Sequence, residues 1–162
     1  MQRYLIPFVL LTSSGCGETA DRLRAVPETI SIQNQQLVLS ASVITVERGG
    51  YPIYGICFIH ATDSTPLPSS LTMDIAWLVH NQEVWKTELV DDHTLNDPER
   101  VTMAKTFRNG PKWLPGTVVD VIVQVRFANS TQLIRAPNQR VNAVVKMFGA
   151  AANKRKTDAH TL

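Results

Sequence analysis

The stretch TVVDVIVQVRF, residues 117–127, alternates without interruption. Val119, Val121, Val123, Val125 and Phe127 fall on one side, and Asp120, Ile122, Gln124 and Arg126 fall on the other. Side chains on a helix return to one face about every 3.6 residues, whereas a strand alternates at every residue, so this segment is a strand with one buried face. A strand cannot bury a face by itself, and the rest of the chain must supply partners. Residues 71–79 (LTMDIAWLV) repeat the pattern, with Leu71, Met73, Ile75, Trp77 and Val79 expected to face inward. The chain then turns at His80-Asn81-Gln82 into 83–90, which reads as a hairpin. Further strands are expected over 29–33, 36–46, 53–61, 100–106, 132–136 and 140–146, with Gly-, Pro- and Asn-containing turns between them. About eight short strands punctuated in this way indicate an all-β antiparallel sandwich, with a small barrel as the alternative.

A chain of 162 residues, 44% hydrophobic and 19% charged, is enough for one domain with a sizeable core. The net charge is +2, and the main basic cluster, Lys154 to Lys156, belongs to a tail, so no broad positive field exists to hold a nucleic-acid backbone. The tail, 148–162, loses all alternation and is expected to be disordered.

The N-terminus carries an address. Arg3 and the start amine precede an apolar run, YLIPFVLL at 4–11, followed by small residues, which is the layout of a secretory signal. The run is far shorter than the roughly 20 apolar residues of a membrane span. The residues Ser13-Ser14-Gly15-Cys16 resemble the lipobox of bacterial lipoproteins, although Ser13 stands where that family usually has leucine. The resemblance implies removal of 1–15 and acylation of Cys16, and residues 16–28 then read as a lipidated N-terminus and polar tether. Gly17 is not the aspartate of an inner-membrane retention signal, so the family rule implies the outer membrane of a bacterial cell envelope.

The body, 29–147, resembles immunoglobulin-like and fibronectin type III domains in two places. DIAWLVHNQEVWKTEL is similar to their C to C′ hairpin, with Trp77 in the position of the tryptophan buried between the sheets. VDVIVQVRFANSTQLIRA is similar to their last two long strands. The inter-sheet cysteine pair of antibody domains is missing, because Cys57 has no mate once Cys16 is acylated. Cys57 lies in an apolar run, 53–61, expected to be a central strand buried on both faces, where a thiol behaves as a small hydrophobe. His60 would point to the opposite face.

No phosphate loop, nucleophile elbow or metal-binding pair of histidines or cysteines occurs, and no catalytic residue, metal or cofactor is expected. The acidic run 91–99 offers oxygens but lacks the order and glycine of a calcium loop, and reads as a solvated connection. The stiffest loop is 110–116 (GPKWLPG), in which Trp113 and Leu114 are either a recognition surface or a cap on the end of the sandwich. The expected function is that of a lipid-anchored envelope module that binds or assembles with a protein or glycan without catalysis. An envelope hydrolase, or a structural subunit of an envelope complex, is the alternative.

Overall fold

The computed structural model describes residues 19–46, 50–92, 94–95 and 99–144. They form a short helix, α1 (Ala20–Arg24), and nine strands: β1 (Thr29–Ile32), β2 (Gln35–Val46), β3 (Tyr54–Ala61), β4 (Thr72–His80), β5 (Glu83–Glu88), β6 (Val90–Asp91), β7 (Thr102–Phe107), β8 (Val118–Phe127) and β9 (Ser130–Val144). The strand order is β5-β4-β8-β9-β2-β3-β7-β6, with β1 added on β2. Two sheets, β5-β4-β8-β9 and β1-β2-β3-β7-β6, face each other, so the protein is all-β, a sandwich that approaches a barrel.

One strand joins the two layers. β9 pairs antiparallel with β8 through Arg140, and its last four residues run parallel to β2, from Val43↔Val141 to Val46↔Val144. Two separate strands were expected here, at 132–136 and 140–146. Pro137 and Asn138 bend a continuous strand instead of ending it: the register slips between Val119 and Val121, and Asn138 adopts a positive φ of 55°. The expected strand 83–90 divides in the opposite sense. Leu89 turns inward, its N–H bonded to the Asp74 carbonyl at 2.8 Å, and the chain passes from β5 in one layer to β6 in the other.

Leu71, Met73, Ala76, Leu78, Val119, Val121, Val123 and Val125 meet Leu39, Val43, Cys57, Ile59 and Phe107 in the core between the layers. The inward set anticipated for β4 is corrected in its second half. Met73 pairs with Val125 and Ile75 with Gln124, so Asp74 is an extra residue, and one inserted residue reverses every later side chain. Leu71 and Met73 face the core as expected, whereas Ile75, Trp77 and Val79 point to the outer face. Trp77 therefore does not pack between the sheets. It is 2% exposed on the other side, in a second cluster with Val79, Ile122, Ala20 and Leu23, and Lys86 lies 5.0 Å from its ring.

Helix α1 makes that outer face possible. Five residues are too few to hold a helix in isolation, and α1 stands on tertiary contact: Leu23 is 1% exposed and Thr19 caps the first turn by accepting the Arg22 N–H at 3.4 Å. The segment 16–28, read as a tether, thus contains a docked turn from Thr19 onward. β3 is central, between β2 and β7, but only its Gly55, Cys57, Ile59 and Ala61 face is fully buried. Tyr54 is exposed, and Ile56, Phe58 and His60 are half-covered. Residues 1–18 and 145–162, with the expected signal sequence, Cys16 and the basic tail, lie outside the described residues.

Candidate functional site

Loop 110–116 closes one end of the sandwich. The Gly110 N–H bonds to Ile53 O at 3.0 Å and the Ile53 N–H to Pro111 O at 3.1 Å, which presses the loop onto the start of β3. A Cβ on Gly110 would meet Ile53 Cγ1 at 2.5 Å, so glycine is required at that approach. Trp113 is only 9% exposed. Its indole N–H donates to Glu83 Oε2 at 3.1 Å, and its ring lies 5.7 Å from that of His80. Trp113 is a cap, and the recognition role considered for it does not fit this burial. Leu114, beside it, is 64% exposed.

The same end carries a groove of about 410 Å³ lined by Val46, Tyr51, Tyr54, Arg108, Asn109 and Val144. Tyr51, Tyr54 and Val144 are exposed although apolar in body. Nothing in the chain's local pattern announces this grouping. Tyr51 follows a glycine turn, Tyr54 lies on the solvent side of β3, and they meet Arg108 and Val144 only because β7 and β9 finish here. Next to it, a wider groove of about 680 Å³ follows the open seam between β5 and β6, lined by Glu88, Asp91, Asp92, Thr106, Arg108 and Asn109.

The strongest convergence of charge is elsewhere, at Asp120. Its Oδ2 lies 3.5 Å from Arg24 Nε and 3.6 Å from Arg135 Nη1, and its Oδ1 accepts the Asn138 N–H at 2.8 Å. Arg135 also donates to Glu28 Oε1 at 2.9 Å and to Val26 O at 3.1 Å, and Arg24 donates to the Asn81 carbonyl. Nearby, His80 Nδ1 lies 3.0 Å from Val118 O and its Nε2 lies 3.1 Å from the Asn81 amide nitrogen. Arg24, His80, Asn81 and Asp120 line a recess of about 240 Å³. The Asp120 carboxylate accepts one hydrogen bond at the bend of β9 and sits between the two guanidinium groups, so this cluster ties that bend to the docked helix.

Among the described residues no group of three or more His, Cys, Asp or Glu could hold a metal. In the acidic run, Asp91 pairs with Lys105 at 3.4 Å and Asp92 Oδ1 accepts the Thr94 N–H at 3.0 Å, a local turn; His93, Asn96 and Asp97 lie outside the described residues. Cys57 is fully buried, and burial pushes its thiol up to about 12 from 9.0. Its acidic form is the one the fold favours, so the associated stability is present below pH 9 and is lost as pH rises toward about 12. Native protein at pH 8 is expected to leave Cys57 unmodified by iodoacetamide, and denaturant is expected to expose it. Rapid alkylation without unfolding would contradict the burial.

Comparison with known proteins yields no family: no family model matches the chain, and no significant match is found among curated proteins or solved structures.

Proposed function

We propose that the protein is a lipid-anchored lipoprotein of the bacterial envelope whose sandwich is an immunoglobulin-like module for non-enzymatic binding or assembly. The strand order supports the fold reading. In chain order, β2 to β9 correspond to strands A, B, C, C′, D, E, F and G of an immunoglobulin-like domain, with β2-β3-β7-β6 as the A-B-E-D sheet and β5-β4-β8-β9 as C′-C-F-G. Two features depart from that pattern: Cys57 has no inter-sheet partner, and Trp77 on the third of these strands packs outward.

One observation carries the binding reading. Tyrosine, arginine and aliphatic side chains are exposed together around a groove at one end, while the convergent charged groups around Asp120 are engaged in holding the fold. Tyrosine and arginine are enriched at recognition surfaces because each offers a large apolar area with a polar tip. No helix among the described residues is long and apolar enough to cross a membrane.

Acylation of Cys16 supplies the attachment in this reading. Each buried methylene adds about 0.8 kcal/mol, and two or more chains make the anchoring stable. Expressed in a bacterium with labelled palmitate, the protein is expected to carry label and to enter the detergent phase on Triton X-114 partitioning. Cys16→Ser is expected to abolish the label and move the protein to the aqueous phase. Label and partitioning unchanged in Cys16→Ser would end the lipoprotein reading.

A further inference from the structure

The exposed apolar side chains are gathered. Tyr51, Tyr54, Leu114, Val118 and Val144 are 53%, 39%, 64%, 43% and 42% exposed. All five lie where β2 and β9 finish and β3 and β8 begin: Tyr54 pairs with Ile44, Val46 with Val144, and Val118 with Arg140. Val90, exposed on the short edge strand β6 opposite Thr106, adjoins them along the seam. Around this apolar set stand Arg108, Lys112 and Arg140, all exposed and in no ion pair with another described residue. Two acids of this end are engaged: Glu83 accepts the Trp113 indole N–H, and Asp120, in the recess beside Val118, faces Arg24 and Arg135. Glu88, Asp91 and Asp92 line the seam beside Arg108 and bound the patch on that side. Glu47 and Arg48, of opposite sign, lie outside the described residues.

Tyrosine and aliphatic side chains framed by cations in no ion pair with a described residue match a bilayer interface, where aromatic rings settle at headgroup level and lysine and arginine meet anionic lipid. A second copy of the chain is a poorer occupant, because a two-fold contact centred on this patch would gather the three cations of each copy, while Glu88, Asp91 and Asp92 lie only on its seam side. The geometry points to this end of the sandwich lying against an anionic bilayer, with Tyr51, Tyr54 and Leu114 at the headgroups and Arg108, Lys112 and Arg140 over lipid phosphate.

The last turn of α1 touches the same end. Arg24, in the last turn of α1, donates to the Asn81 carbonyl in the β4–β5 turn, and that turn borders Val118 through His80. Cys16 precedes the capping residue Thr19 by three residues, at most about 11 Å of extended chain. In the lipoprotein reading, an acyl chain on Cys16 is thus tied to the sandwich through a short link to Thr19 and not through a long leash. This second argument rests on the proposed acylation, and the surface argument does not.

The full chain, reconstituted in vesicles of phosphatidylethanolamine and phosphatidylglycerol, tests both parts. An environment-sensitive fluorophore is attached at Leu114→Cys or, for the opposite end, at Asn129→Cys, and mass spectrometry of the same sample reads the acyl state of Cys16. The label at 114 is expected to shift to the blue and to be quenched by nitroxide lipids, while the label at 129 stays in water. Combining Arg108→Gln, Lys112→Gln and Arg140→Gln is expected to weaken docking of the 114 label about 100-fold, at about fivefold for each cation. Acylated protein with the 114 label in water overturns the inference and leaves the anchor standing. A quenched 114 label on protein lacking acyl chains supports the surface while the lipoprotein reading fails. Unacylated protein that ignores the vesicles overturns both. Protection of the 114 label that follows protein concentration on neutral vesicles assigns the face to a protein contact and overturns the inference.

Discussion

Replacing Asp120 with alanine is expected to lower the stability of the domain by about 3–5 kcal/mol, the loss that follows when one member of a buried ionic group is removed and its partners stay behind. The Asp120 side chain is 11% exposed and those of its partners Arg24 and Arg135 are 32% and 19% exposed, which places the result toward the lower bound. A fall in melting temperature of about 10 °C corresponds to that loss for a domain of this size. The damage has two parts. The Asn138 N–H loses its acceptor at the bend of β9, and Arg24 and Arg135 lose the carboxylate between them. With Arg24 released, α1 is expected to lift from Trp77, so trypsin cleaves at Arg22 or Arg24 while the sandwich core remains protected. Asp120→Asn keeps an acceptor for Asn138 and is expected to lose less. Urea denaturation gives the free energies, and a change below about 1 kcal/mol in Asp120→Ala would show that the cluster behaves as a solvated surface group.

Gly55→Ala is expected to be as damaging although it adds a single methyl group. A Cβ at that position would overlap the Ser42 carbonyl oxygen and the Phe107 Cζ, with Phe107 Cε1 at 2.8 Å. Phe107 is 1% exposed and rests against Trp85, their ring centres 5.8 Å apart, so the ring has little room to retreat. The Ser42 oxygen belongs to β2 and can move only if the β2–β3 ladder moves with it. Overpacking of this kind costs about 3 kcal/mol. A double variant, Gly55→Ala with Phe107→Leu, is expected to recover only part of the loss, because the carbonyl contact persists. Full recovery in thermal melts would place the conflict in the ring alone.

Most strands were legible because their information is local. Val119, Val121, Val123 and Val125 alternate in the sequence and face the core in the structure, and the Asn81 turn joins β4 to β5 as its residue types suggested. The faces of β4 were not legible past Met73, since nothing in LTMDIAWLV marks Asp74 as an inserted residue. Its role depends on Arg126 of β8, which bonds its carboxylate, and on Leu89, which bonds its carbonyl. For the candidate site, the sequence marked loop 110–116 and left Trp113 with two readings, which Glu83 and His80 resolve in favour of a cap. Tyr51, Tyr54 and Arg108 carried no sequence signal, being far apart in the chain and ordinary in type.

The sequence by itself determined an all-β chain, the approximate extent of most strands and a buried Cys57, because a period of two and turn-forming residues act over a few positions. Only the tertiary structure decided that Trp77 turns outward under α1, that β9 serves both layers, and that cations and exposed tyrosines share one end. Each of these depends on contacts between segments distant in the chain, and a single inserted residue or bend changes which side chains meet without altering the local pattern that announces a strand.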